Sequence, residues 1–137
     1  MVASHLDNSA QCTCQQLDNG IFDIVYARSS HQTADEYLTH LDELYSGKSP
    51  QDPTMRVMVD FSHSDVLPLN YMLPKIRRFI MNHPFRPATR NVYLINDNNY
   101  AHFLDTVVNM LRAPRDKVRY FKASKRDDAI AWLLTDD

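Results

Sequence analysis

The chain has 137 residues, of which 44% are hydrophobic and 23% are charged, an ordinary composition for one globular domain. No apolar run approaches the roughly 20 residues that cross a membrane, so an integral membrane protein is not expected. The net charge of −2 combines an acidic first half, with ten acids and three bases in residues 1–65, and a basic second half, with seven acids and twelve bases in residues 66–137.

The start of the chain predicts a cytoplasmic protein, because residues 1–12 lack the basic and apolar stretches of a secretory signal. We expect residues 1–10 to be a disordered terminus and residues 11–137 to form a single domain. Cys12 and Cys14 would point to the same face of a strand. No further ligands follow at the spacing of a metal or redox site, so we expect two reduced thiols.

The first two predicted elements form a hairpin. Residues 11–17 and 21–27 have the composition of strands, and Asn19-Gly20 between them is typical of a tight hairpin turn. In the second strand, alternate residues form an apolar face that we expect to point inward: Phe22, Ile24 and Tyr26.

A helix and a buried strand are predicted next. A capping box from Thr33 to Glu36 predicts the start of the first helix, and Gly47 predicts its end. Residues 56–61 form a nearly continuous apolar run, as expected for a central parallel strand that is covered on both faces. The polar loop of residues 62–65 follows it.

The remaining elements continue this alternation of helices and strands. Apolar residues repeat at helical spacing from Leu69 through about residue 82 and predict a second helix. Pro74 interrupts the pattern, so the helix either begins near Leu73 or is kinked. Residues 91–95 and 118–121 are predicted strands, and each is followed by a helix.

The last two helices are predicted from their capping residues. Asn98 or Asn99 can cap the third helix, and Ser124 with Asp127 the fourth. The element order is therefore β-β-α-β-α-β-α-β-α. It predicts an α/β fold in one domain, with a mostly parallel five-stranded sheet flanked by four helices and an antiparallel edge from the hairpin.

This element order resembles the STAS-like superfamily, specifically its SpoIIAA-like branch of small bacterial proteins, over roughly residues 15–134. The branch is related in fold to lipid-carrying CRAL-TRIO domains. Two segments carry the resemblance, the central strand Val57-Met-Val-Asp60 and the closing Tyr120-Phe121…Asp128-Ala129-Ile130-Ala131-Trp132-Leu133. The resemblance implies a non-enzymatic regulatory module that binds a protein partner.

The resemblance also implies a phosphorylation switch. In anti-sigma-factor antagonists, a partner kinase phosphorylates a serine at the start of the helix after the third strand, which breaks a protein complex. The corresponding residues 60–65 lack the glycine and the adjoining serine pair of that motif. Ser62 and Ser64 are the candidate phosphorylation sites here, and the alternative is that they only satisfy local backbone groups.

Several kinds of chemistry lack their sequence motif. Gly20 and Gly47 are the only glycines, so no glycine-rich loop for a dinucleotide or a phosphate chain is present. The six histidines include no pair at the spacing of helical metal ligands. Ser62 and His63 lack a nucleophile elbow around them. We expect no enzyme, no cofactor and no metal site, and no nucleic-acid binding because both faces of the sheet should be covered.

The candidate binding surface follows the central strand, because ligands of open parallel sheets favour the carboxyl ends of strands. Residues 66–96 contain no acid but contain five bases, which either steer an anionic partner or form a solvated face: Lys75, Arg77, Arg78, Arg86 and Arg90. Asp60 is either a group with a perturbed pKa or a cap for its loop. The candidate partner or ligand residues are Asp60, His63, Tyr71, Lys75, Arg77 and Arg78.

Two functional hypotheses use this surface. The first is a protein partner, or self-association, bound through residues 61–70 and residues 71–83. The second is a carrier or sensor of a small apolar or anionic, lipid-like ligand, which predicts a pocket between the second helix and the sheet. Soft and aromatic residues of this region are predicted mainly as core, with a partner surface as the alternative: Tyr71, Met72, Phe79, Met81 and Phe85.

Overall fold

The computed structural model describes residues 10–64, 67–96 and 100–136, with residues 100–103 described through their backbone alone. These parts of the chain form five strands and four helices: β1 (Cys12–Gln16), β2 (Phe22–Tyr26), α1 (His31–Tyr45), β3 (Met55–Asp60), α2 (Leu69–Asn82), β4 (Thr89–Ile95), α3 (Tyr100–Leu111), β5 (Lys117–Lys122) and α4 (Arg126–Leu133). The predicted α/β class and element order are confirmed. The predicted disordered terminus lies outside the described residues, apart from Ala10.

The five strands form one sheet in the order β1-β2-β3-β4-β5. β1 is antiparallel to β2, and all other neighbouring strands are parallel. β3 is therefore central, as its apolar run predicts. The register places Ile24, Val59, Tyr93 and Tyr120 in one row across four strands, and this row lies on one face of the sheet.

Helices cover both faces of the sheet. On one face, α1, α2 and α3 pack over the larger core, whose members include Tyr26, Tyr37, Phe61, Met72 and Leu104. On the other face, α4 packs over a smaller core, whose members include Met58, Val92, Leu94, Ala129 and Leu133. The sheet is thus the middle layer of the domain, with one helix on one side and three on the other.

The predicted hairpin is confirmed. The N–H of Gly20 donates to the carbonyl of Leu17 over 2.9 Å. Gly20 has a φ of 89°, a left-handed conformation that costs glycine little. Ile24 and Tyr26 are fully buried in the larger core, so the predicted inward face of β2 is confirmed as well. Asp23, on the opposite face, is also buried.

The predicted capping box of α1 is wrong. The N-cap is Ser30, whose Oγ accepts a hydrogen bond from the N–H of Thr33 over 3.1 Å. The carboxylate of Glu36 is turned toward β1, where Oε1 accepts from the N–H groups of Gln11 and Cys12 over 2.7 and 2.8 Å. Glu36 therefore connects α1 to the edge strand.

Replacing Glu36 by glutamine is expected to reduce the acid sensitivity of the fold. Burial raises the pKa of Glu36, but hydrogen bonds from Gln32 and from the N–H groups of Cys12 and Gln11 outweigh it, so its pKa lies below the usual value. A lowered pKa stabilises the fold above the unfolded-state pKa of about 4.3, and this stabilisation is lost as pH falls through the folded pKa. Urea denaturation between about pH 6 and pH 3 measures the effect. The control is Glu43→Gln, at an exposed position. If Glu36→Gln loses as much unfolding free energy between these pH values as the wild type and the control do, the prediction is contradicted.

Helix α2 begins at Leu69 and Pro74 lies inside it, so of the two alternatives for Pro74 the start near Leu73 is wrong. Proline lacks the N–H that would bond to the carbonyl of Asn70, four residues earlier. Asn70 is exposed, so water can reach that part of the helix. The predicted caps of α3, Asn98 and Asn99, lie outside the described residues.

The predicted cap of α4 is wrong. Ser124 lies in a 3-10 helix, Ala123–Lys125, and the N-cap is Lys125, without a side-chain hydrogen bond to the helix. The chain enters α4 directly from this short helix.

The carboxyl end of α4 is held by two arginines of the sheet. Arg56 donates to the carbonyl oxygens of Leu133 and Thr135. Arg90 donates to the carbonyl of Trp132 over 2.9 Å and to Oγ1 of Thr135 over 2.7 Å. Cations at this end also complement the negative end of the helix dipole.

Candidate functional site

The carboxyl end of β3 carries a small polar network around Asp60. Oδ1 of Asp60 accepts hydrogen bonds from the N–H and the Oγ of Ser62 over 2.8 and 2.6 Å. Nε2 of His63 lies 3.4 Å from the other carboxylate oxygen. Asp60 therefore caps the loop that follows the strand, while His63 remains largely exposed.

The two candidate phosphorylation sites differ in accessibility. Ser64 is only 2% exposed, and its Oγ lies 2.5 Å from Oγ of Ser29 in the loop after β2. Ser62 is partly exposed, and its carbonyl accepts a 3.0 Å hydrogen bond from the side chain of Asn96 after β4. The polar network thus joins the loops after three neighbouring strands, and of the two serines only Ser62 is open to a kinase.

Tyr71 and Lys75 contact α1 instead of projecting freely. The hydroxyl of Tyr71 donates to the carboxylate of Asp35 at 2.8 and 2.9 Å, and the ring of His31 stacks on the Tyr71 ring with centroids 3.8 Å apart. Nζ of Lys75 lies 3.5 Å from Oδ1 of Asp35. These contacts connect α1 to α2. No sequence motif links Asp35 to Tyr71, 36 residues later, and the two come together only because the helices pack.

The outer face of α2 carries exposed cations next to exposed apolar side chains. Arg77 and Arg78 are exposed and form no ion pair with any described residue. Met81, four residues after Arg77, is 78% exposed, and Phe85, just beyond the helix, is 74% exposed. The prediction that Met81 and Phe85 belong to the core is therefore wrong.

Two depressions lie on either side of Asn82 on this surface. One, of about 320 Å³, lies between α1 and α2 and includes Arg78. The other, of about 330 Å³, lies beyond the end of α2 and includes Phe85. We call the four exposed side chains Arg77, Arg78, Met81 and Phe85 the α2 surface.

The five bases of residues 66–96 do not form one patch. The guanidinium of Arg86 lies over the rings of Tyr45 and Phe79, at 5.7 and 5.5 Å from their centroids. Arg90 is only 4% exposed and lies 3.9 Å from the ring centroid of Trp132, on the other face of the sheet. The predicted patch therefore reduces to the two arginines of the α2 surface.

The prediction that Phe79 belongs to the core is confirmed, because its side chain is buried.

The larger core contains a small cavity between the helices and the sheet. Its volume is about 20 Å³, room for about one water molecule, and its lining includes Tyr37, Phe79 and Tyr93. Burial raises the pKa of both tyrosines, so each hydroxyl keeps its proton even in alkaline solution.

The two cysteines are not prepared for nucleophilic chemistry. Burial is the main cause that raises the pKa of Cys12 to about 12, and it also raises the pKa of Cys14. Because the thiolate is the reactive form, both side chains are weak nucleophiles at neutral pH. Among the described residues, no group of three or more histidine, cysteine, aspartate or glutamate side chains is arranged to hold a metal ion.

Comparison with known proteins adds no relative: no family model matches the chain, and neither the curated proteins nor the solved structures give a significant match. No helix of the described residues has both the length and the apolar character needed to cross a bilayer. The interpretation of the α2 surface therefore depends on its own chemistry.

Proposed function

We propose that this chain is a non-catalytic regulatory module of the STAS-like type, which binds an acidic segment of a partner protein through the α2 surface. One observation carries the proposal. Arg77 and Arg78 have no ion-pair partner among the described residues, and two large apolar side chains that follow them in the chain, Met81 and Phe85, are mostly exposed.

The chemistry of the α2 surface favours a partner that is acidic and partly apolar. Residues 66–96 contain no acid, and the two acids of α1 that line the first depression, Asp35 and Asp42, contact Lys75 and His83. Aromatic residues, methionine and arginine are the residue types enriched in protein interfaces. Phe85 would supply a buried anchor, and the arginines would supply electrostatic steering and orientation.

The polar network after β3 supports a binding role over a catalytic one. The hydroxyl of Ser62 donates a hydrogen bond to Asp60, and His63 contacts the other oxygen of the same carboxylate. A serine nucleophile requires a hydrogen bond to its general base, and Ser62 and His63 make none with each other. The carboxylate instead orders the loop.

The alternative, a carrier of a lipid-like ligand, has less support. It requires a pocket between α2 and the sheet, where the cavity holds about one water molecule. Pockets for small molecules are typically about 300–1,000 Å³. The two depressions near Asn82 reach that size, but they lie on the outside of the helix layer, where a peptide segment fits better than a lipid chain.

Reversing both charges of the α2 surface, in Arg77→Glu/Arg78→Glu, is expected to weaken partner binding by about tenfold or more. The probe is a set of peptides selected for binding to the wild-type domain from a displayed random library, and fluorescence anisotropy gives the dissociation constants. We expect the selected peptides to combine Asp or Glu with an aromatic or aliphatic residue. Phe85→Ala should weaken the same peptides, because it removes the apolar anchor.

The matched control is Lys122→Glu/Lys125→Glu, which makes the same charge change at exposed positions away from α2. Circular dichroism checks that all variants remain folded. Equal affinity of the selected peptides for wild type and Arg77→Glu/Arg78→Glu would refute the proposal, as would the absence of any selected peptide. Sedimentation of the wild type alone tests self-association, and a dimer that the charge reversal dissociates would identify a second copy as the partner instead.

A further inference from the structure

Three cations lie directly opposite one another across the sheet. The register pairs Arg56 of β3 with Arg90 of β4, and Arg90 with Lys117 of β5. Side chains at opposite positions of neighbouring strands lie on the same face and in contact distance, where like charges destabilise the sheet. A row of this kind therefore favours a negative charge beside it.

This row lines a cavity of about 120 Å³ at the amino ends of the three strands. Arg115, in the loop before β5, lies at the same cavity and brings the number of cations to four. Asp136 is the one acidic residue among those that line it. The cavity lies on the α4 side and at the amino ends of the strands, whereas the α2 surface lies among the helices on the other face.

The cations of the cavity are only partly neutralised. Nη2 of Arg56 lies 2.9 Å from a carboxylate oxygen of Asp136, which is 92% exposed. Exposed ion pairs of this kind contribute about 0–1 kcal/mol, so the carboxylate is readily displaced. Arg115 and Lys117 form no ion pair with any described residue, and Arg115 makes only a long hydrogen bond, 3.4 Å, to the carbonyl of Pro50.

The geometry points to this cavity as a binding site for the phosphate group of a phosphomonoester. Arginine forks bind the oxygens of phosphate in a bidentate manner, and Lys117 supplies a point charge beside them. The Asp136 carboxylate shows that Arg56 can bind an oxyanion at this position. A phosphate dianion carries more charge and more acceptor oxygens than one carboxylate, and so suits the exposed Arg115 and Lys117 beside Arg56 better.

The size of the cavity indicates which part of the ligand is bound. At about 120 Å³ it is smaller than typical small-molecule pockets of about 300–1,000 Å³. It therefore accommodates the phosphate group, while the remainder of the ligand stays outside. Thr54 lines the cavity as well, at an exposed position, and can add a hydroxyl donor for a phosphate oxygen.

The test is isothermal titration calorimetry of the full chain with glycerol 3-phosphate in a phosphate-free, low-salt buffer. The double variant Arg115→Gln/Lys117→Gln should bind about tenfold more weakly or worse, because it removes two charge-assisted contacts at exposed positions. Asp136→Asn should bind several times more tightly, because it removes the competing carboxylate. The control Lys122→Gln/Lys125→Gln removes the same charge elsewhere and should bind as the wild type does. Thermal unfolding confirms that the variants are folded.

Each outcome decides the proposal. Loss of binding in Arg115→Gln/Lys117→Gln with an unchanged control supports it. Equal loss in both double variants would show a non-specific charge effect and overturn it, as would no measurable binding of glycerol 3-phosphate by the wild type. Sedimentation with vesicles that contain phosphatidic acid identifies the source: binding to vesicles that Arg115→Gln/Lys117→Gln abolishes indicates a lipid headgroup, and binding to the soluble ester alone indicates a free metabolite.

Discussion

Replacing Phe61 by alanine is expected to lower the free energy of unfolding by about 3–5 kcal/mol, the usual cost of deleting a buried aromatic side chain. Phe61 is fully buried immediately after the central strand. Its ring contacts Tyr26, Tyr37 and Tyr93, with centroids 4.9, 5.6 and 6.0 Å away. Because these aromatic residues come from β2, α1 and β4, alanine would leave a cavity where three elements meet.

Urea denaturation followed by circular dichroism measures the loss, and the expected fall in Tm is on the order of 10 °C or more. Phe85→Ala is the matched control, since it makes the same change at a position that is mostly exposed, and its cost should stay within about 0.5 kcal/mol. If the free energy of unfolding of Phe61→Ala is less than about 1 kcal/mol below that of the wild type, this packing is contradicted. The loop that begins at Ser62 should also become more mobile, because the buried Phe61 side chain fixes the position from which this loop starts.

The fold was largely predictable because its elements leave local signals. Residues 56–61, the predicted central strand, differ from β3 by one position, since a strand that is buried on both faces is a continuous apolar run. Capping was predicted less well. Glu36 and Ser124 have the correct residue types for caps, but tertiary contacts of Glu36 with β1 and the 3-10 helix at Ser124 determine what they do.

The candidate site was predictable only in part. The sequence singled out Arg77 and Arg78, which are exposed, but it also grouped them with Arg90, which is buried against Trp132. Nothing in the sequence around Arg90 indicates that its guanidinium donates to the carbonyl of Trp132, 42 residues later. The sequence does indicate that Met81 is exposed, because Met81 follows Arg77 by four residues and the two side chains therefore lie on the same side of the helix.

Replacing Arg126 by glutamine is expected to destabilise the docking of α4. Arg126 is the first residue of α4, and its Nη2 lies 2.9 Å from Oδ2 of Asp23, a buried carboxylate on β2. Removing one partner of a fully buried pair costs about 3–5 kcal/mol, because the other charge remains buried. Since the side chain of Arg126 is 39% exposed and water screens it, we expect about 2 kcal/mol.

The double variant Asp23→Asn/Arg126→Gln should recover most of this loss, because no charge is then left buried without a partner. Trp132, the only tryptophan, lies on α4, so its fluorescence reports the docking of that helix while circular dichroism reports the whole fold. In Arg126→Gln we expect the fluorescence transition in urea to precede the circular dichroism transition. Arg56 and Arg90 hold the other end of α4, so the helix is fastened by charged groups at both ends. If the double variant is as unstable as Arg126→Gln alone, the buried Asp23 carboxylate is not the cause of the loss, and α4 is held mainly by Ala129 and Leu133 in the smaller core.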